Sequence, residues 1–201
     1  MLKSKRLILA AAAMLSFFIV CFATPVRGQV RWWRDNNGIL HIEGKGRASA
    51  DSGSKEKPPN TGKMIDRGHA GLTLGDDESA FKAGGKGVFS GKSGVSGNYY
   101  QYTSNLPPGA VSGGALFVTG RLALILVEYT DTALGGWDGL IKQTTQRYGA
   151  PFGDSRSIAW SDGATTLSFT REANGNITCI VDDTPVMAKE VEAQKVAAPK
   201  F

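Results

Sequence analysis

Gly114-Ala115-Leu116-Phe117-Val118-Thr119-Gly120-Arg121-Leu122-Ala123-Leu124-Ile125-Leu126-Val127-Glu128-Tyr129 reads as a single β-hairpin. The first arm ends at Val118, Thr119-Gly120 makes the turn, and the second arm is almost wholly apolar. An alternating strand faces water on one side. A strand with apolar residues at nearly every position is buried on both faces, so residues 122–127 are expected to form the central core strand.

Downstream, Trp137, Leu140, Ile141, Thr144 and Tyr148 recur at spacings of three and four, the stripe of a helix with one buried face. Asp131 or Thr132 is a candidate cap for its start, and Gly149 with Pro151 a stop. Three strand-like runs follow at 156–160, 165–171 and 176–181. Asp162-Gly163 and Asn174-Gly175 join them as tight turns, so they read as an antiparallel meander. Upstream, Tyr99-Tyr100-Gln101-Tyr102-Thr103 reads as a strand ending before Pro107-Pro108-Gly109. Asp76-Asp77-Glu78-Ser79-Ala80-Phe81-Lys82-Ala83 reads as a brief helix with acids in its first turn. Residues 84–97 are rich in Gly, Ser and Lys but lack the G-x-x-x-x-G-K-[ST] spacing of a phosphate loop, and are expected to form a flexible loop. The expected fold class is α+β: an antiparallel sheet of about five strands with one long helix packed on one face.

The N-terminus has the order of a secretory signal. Lys3, Lys5 and Arg6 precede an apolar run over 7–23 broken only by Ser16, and turn-forming residues begin at Thr24-Pro25. Cleavage is expected after Ala23 or Gly28, placing the chain in the periplasm or outside the cell. An uncleaved signal acting as an inner-membrane anchor is the alternative, although the run falls short of the roughly 20 apolar residues of a spanning helix. The whole chain has 23 Lys and Arg against 18 Asp and Glu, with a pI near 9.2. Residues 1–28 hold four of those cations and no acid, so a chain cut at Gly28 is almost neutral, 19 against 18. Net charge then selects no partner class, and no specific nucleic acid is expected. Removing Cys21 leaves only Cys179, which excludes an intrachain disulfide. Cys179 reads as a buried strand residue, a reactive thiol being the alternative.

Val30-Arg31-Trp32-Trp33-Arg34, the turn Asp35-Asn36-Asn37-Gly38 and Ile39-Leu40-His41-Ile42 form a second hairpin signal. A lone hairpin is marginal in water, so it should dock on its own domain or on a partner. Residues 44–63 contain no large apolar side chain and are expected to be a disordered linker. The expected organisation is a signal (1–28), a hairpin module (29–43), the linker (44–63), the α+β domain (64–184) and a flexible tail (185–201) that is a frayed helix or disordered.

Trp33-x-Asp35-x-x-Gly38-x-x-His41, placed directly after a signal, resembles the bacterial envelope family catalogued as domain of unknown function 4124. The resemblance covers about 15 residues. Arg31, Ile42 and Gly44-Lys45-Gly46 depart from the family pattern, and the family implies no assigned activity. More loosely, Gly120-Arg121-Leu122, Arg147-Tyr148-Gly149-Ala150-Pro151 and Trp160-x-Asp162-Gly163-x-Thr165-x-Leu167 resemble a plan of small periplasmic and lipoprotein domains, which implies a fold and not a function.

Chemistry-bearing constellations are sparse. His41 is expected to pack on Trp33 or bond Asp35, a metal or ligand role being the alternative; His69 reads as a solvated loop residue. Two separate His and one Cys are too few for a structural zinc site. Asp35-Asn36-Asn37-Gly38 lacks the spacing of a calcium loop. No G-x-S-x-G elbow is present. The acids at 76–78 and 182–183 are explained by capping and solvation. No catalytic residue, metal or cofactor is therefore expected. Trp32 and Trp33 occupy adjacent positions, hence opposite faces of a strand. The expected function is a non-catalytic envelope binding or interaction module using Trp32, Trp33, Asp35 and His41, with an envelope protein or a glycan as partner. The alternatives are polyanion binding (nucleic acid, anionic lipid or lipopolysaccharide) through the basic linker, and an enzyme of unknown class. Oligomeric state is left open.

Overall fold

A computed structural model describes residues 31–34, 40–43, 59–93 and 96–197. The expected signal, the turn Asp35-Asn36-Asn37-Gly38, linker residues 44–58 and the last four residues lie outside them. Among the described residues no helix is long and apolar enough to cross a membrane.

The central hairpin is present as read. Strands β7 (Ala110–Val118) and β8 (Arg121–Tyr129) pair antiparallel around Thr119 and Gly120, with φ of 50° and 80°. Positive φ at both turn residues is what a two-residue type I′ turn needs. Leu122, Ala123, Leu124, Ile125, Val127 and Tyr129 are all buried, so β8 has cover on both faces.

Around β8 the architecture departs from the expectation. The sheet has eight strands, not about five, in the order β5-β6-β7-β8-β12-β11-β10-β9, every neighbour antiparallel. Its other members are β5 (Val88–Ser93), β6 (Gly97–Tyr102), β9 (Phe152–Gly153), β10 (Ser157–Ser161), β11 (Thr165–Arg171) and β12 (Ile177–Asp183). Two small hairpins accompany it: β1 (Arg31–Arg34) with β2 (Leu40–Glu43), and β3 (Gly68–His69) with β4 (Leu72–Thr73). Three short helices, α1 (Glu78–Ala83), α2 (Gly136–Tyr148) and α3 (Thr184–Ala197), replace the single long helix.

Each departure has a physical source. β5 lies in the stretch read as a flexible loop. As an edge strand it needs only one partner, so Gly and Lys are tolerated, and a bulge between Phe89 and Gly91 hides its alternation. α3 occupies the segment read as a flexible tail. Its apolar residues Val186, Met187 and Val191 join Tyr99, Leu116, Leu124 and Ile180 in a cluster assembled from distant segments. Glu190 adds a long-range tie, accepting hydrogen bonds from Ser96 N (3.0 Å) and Oγ (2.8 Å). Neither capping candidate starts α2. The cap position is Gly135, at φ 80°, and the Asp131 carboxylate stands 3.5 Å from the Arg171 guanidinium.

The layout has an internal symmetry of order. A short helix and a four-stranded meander (α1, β5–β8) are followed by another helix and four-stranded meander (α2, β9–β12), joined through β8 and β12. Phe81 of α1 and Trp137, Leu140 and Tyr148 of α2 cover one sheet face, and α3 covers part of the other.

Adjacent glycines in β7 let two tyrosines lie flat on opposite faces. A Cβ at Gly113 would stand 2.3 Å from the Tyr102 ring, and one at Gly114 2.1 Å from the Tyr99 hydroxyl. Overpacking of this kind costs about 1–3 kcal/mol. Gly113→Ala should therefore lower the unfolding free energy measured by chemical denaturation by that order, and adding Tyr102→Leu should recover part of the loss; an unchanged stability in Gly113→Ala would contradict the packing.

Candidate functional site

The residues read as binding groups occupy the N-terminal hairpin. Its register sets Trp33 opposite His41 and Trp32 opposite Ile42, so the hairpin brings the backbones of Trp33 and His41 onto one rung. Asp35 lies outside the described residues. β1 runs close to α3, the helix that packs on one face of the large sheet.

That face changes character across the sheet. Over β7 and β8 it is apolar, built from Leu116, Leu124 and Leu126 against α3. Over β10 and β11 it is paved with Ser157, Ser161, Thr166, Ser168 and Thr170, in the registers Ser157↔Thr170 and Ser161↔Thr166. The short hydroxyls bond one another: Ser157 Oγ lies 3.2 Å from Thr170 Oγ1, Thr166 Oγ1 donates to Ser161 Oγ at 3.3 Å, and Thr166 meets Thr184 at 2.7 Å.

Titratable groups lie on both faces. Asp182, in register with Leu124 and Thr166, and Glu190 of α3 are buried on the α3 side. On the opposite face and in its loops several others tie elements together. His69, read as a solvated loop residue, is instead in β3 with Nε2 2.8 Å from Tyr129 Oη and the two rings edge-to-face. Burial lowers its pKa from the ordinary 6.5, and the nearby Asp66 carboxylate opposes the shift. Two residues could have flagged it in the sequence, Tyr129 at the end of the core strand and Leu72 beside the turn, but nothing local connects them. Cys179 is buried and its thiol is pushed up by desolvation, which suits the structural role expected of it. Tyr102, in the same row of the sheet through Gly113 and Val127, is pushed up to about 12 by burial.

Asp162 in the β10–β11 turn accepts from Ile65 N (2.8 Å), Ala164 N (2.9 Å) and Thr165 N (2.7 Å). Burial pushes its carboxyl up, but these donors win and its pKa is lowered. Glu78 is buried at the start of α1 and accepts from Asn98 Nδ2 (2.9 Å), Tyr100 Oη (2.6 Å) and Lys82 Nζ (2.8 Å). Its carboxyl too is held low, the bonds outweighing desolvation. A carboxylate engaged in this way clamps α1 to β6. Among the described residues, no group of three or more His, Cys, Asp and Glu is placed to hold a metal.

No family model, curated protein or solved structure matches the chain.

His69 links stability to pH. Its folded pKa lies below 6.5, so the folded state binds fewer protons than the unfolded chain as pH falls through that value. Its contribution is full above pH 6.5 and is lost as pH falls through the lowered pKa. The melting temperature should decline over that window, ahead of the losses caused by protonating Glu78 and Asp162. His69→Gln should flatten that portion of the profile, and an identical profile in the variant would contradict the assignment.

Proposed function

We propose that this protein is an exported, non-catalytic binding module of the bacterial envelope, in which the N-terminal hairpin engages an envelope protein or a glycan. The observation that carries the reading is the placement of β1 alongside α3. Consecutive strand residues take opposite sides of a ribbon. A ribbon docked through one face would offer its other face, and with it one of the adjacent positions 32 and 33, to solvent. An indole presented in this way combines a large apolar face with a polar N–H, which suits both sugar rings and protein hot spots. His41 is paired with Trp33 in register, and it and Asp35 are the hydrogen-bonding residues assigned to the proposed site. The non-catalytic part of the reading draws support from His69, Glu78 and Asp162, whose polar atoms are engaged in holding β3, α1 and the β10–β11 turn. The hairpin's resemblance to the envelope family is consistent with the compartment and implies no chemistry beyond it.

The chain has four tryptophans, and Trp137 and Trp160 are only 7 % and 1 % exposed. Emission that acrylamide quenches readily must then come from the hairpin. The mature protein should show one readily quenched component that disappears in either Trp32→Phe or Trp33→Phe, and the same component should shift on titration with the oligosaccharide or envelope protein that binds. Uniformly shielded emission would remove the basis of the proposal.

A further inference from the structure

The two edges of the eight-stranded sheet are finished differently. Along β10, β9 pairs with Ile158 and Ala159, and the chain at Asn60 and Thr61 takes the next stretch. Thr61 N donates to Ser161 O at 2.8 Å and Asn60 Nδ2 to Asp162 O at 3.0 Å. At the other end β5 has β6 on one side and, among the described residues, no strand on the other. Val88 is 77 % exposed and Phe89 41 %. An edge with unpaired backbone donors and acceptors and apolar side chains is a template for an added strand.

Phe89 is a supported anchor. Its ring meets Tyr100 edge-on at 5.5 Å, and Tyr100 in turn packs against Phe81 at 5.4 Å and Phe117 at 5.6 Å. The exposed ring is therefore continuous with the core and loses little freedom on binding. Lys86 and Lys92 flank it, both exposed and neither in an ion pair with a described residue. Lys82, by contrast, is tied to Glu78.

We propose that β5 is a docking edge for an extended acidic segment of another protein, added as a further strand outside Val88–Ser93. Charge selects this occupant over a second copy of the chain. Antiparallel pairing of two β5 edges centred on Phe89 sets Lys86 of each copy opposite Lys92 of the other, and like charges placed opposite each other destabilise a strand pair. Acidic side chains at the same positions are attracted. The bulge between Phe89 and Gly91 interrupts the regular edge, which suits a short segment and disfavours open-ended sheet growth. This surface is separate from the N-terminal hairpin, and the proposal stands independently of the function proposed for it.

The test uses the full mature protein and two fluorescein-labelled short peptides, one alternating valine with glutamate and the other valine with lysine. Anisotropy reports binding, and hydrogen exchange locates it. The glutamate peptide should bind and slow exchange across β5, and the lysine peptide should not. The double variant Lys86→Glu/Lys92→Glu should bind the glutamate peptide ~10-fold more weakly and accept the lysine peptide. Phe89→Ser should weaken binding of the glutamate peptide to the native charge pattern, and shielded Trp160 emission serves as the check that each variant is folded. Absence of binding, protection of a segment other than β5, binding indifferent to charge reversal, or β5 protection that grows with protein concentration alone would each overturn the proposal.

Discussion

The pairing of β8 with β12 is the seam on which the rest of the molecule hangs. It runs in register from Ile177↔Tyr129 to Asp182↔Leu124 and brings together segments separated by helix α2 and three other strands. Before this seam closes, each half is a four-stranded meander with one short helix and an incomplete face. Once closed, Ile125, Val127, Ile177, Cys179 and Val181 form a continuous apolar floor under α1 and α2, and Leu124 and Ile180 form the floor under α3. Full burial of each such side chain contributes about 1.5–3 kcal/mol relative to exposure. The seam therefore decides whether either helix layer has anything to pack on. Among the described residues Cys179 is a free thiol, and no disulfide does that work.

Around this floor, polar clamps fix the peripheral elements. Glu78 ties α1 to β6 through Asn98 and Tyr100, Asp162 ties the segment at Ile65 to the β10–β11 turn, and the His69–Tyr129 pair ties β3 to the end of β8. Trp160 Nε1 donates to Gly149 O at 2.8 Å, satisfying a carbonyl where α2 stops. Burying a charged or polar group is costly unless partners are supplied. These groups contribute by being satisfied, and removing a single donor strands its acceptor. In His69, Glu78 and Asp162 the side-chain polar atoms are engaged in holding β3, α1 and the β10–β11 turn.

Local sequence was informative where local physics decides structure. The β7–β8 turn, the buried face of α2 and the turns of the second meander follow from glycine positions and apolar spacing, and the strands begin and end within a few residues of those signals. The N-terminal hairpin pairs Trp33 with His41 and Arg34 with Leu40; the turn read at residues 35–38 lies outside the described residues. Long-range pairing was not legible. β5 is recognisable only through β6, and its glycine and lysine content matches that of a loop. α3 carries a weak apolar pattern and depends on a pocket built by β6, β7, β8 and β12. His69 sits between Gly68 and Ala70 with no local cue that Tyr129 will stand beside it. The strand count fell short because edge strands need so little side-chain signal, and the site expected at Trp32, Trp33, Asp35 and His41 remains a proposal resting on register and on the neighbourhood of α3.

Native-state hydrogen exchange across the sheet tests the seam most directly. If β8 and β12 hold the two meanders together, their amides should be the slowest in the molecule and should exchange together, at the free energy of global unfolding, with β5, β9 and α3 opening earlier. Exchange of the β9–β12 amides through a separate opening, while β5–β8 stay protected, would show two independently stable halves and contradict the account.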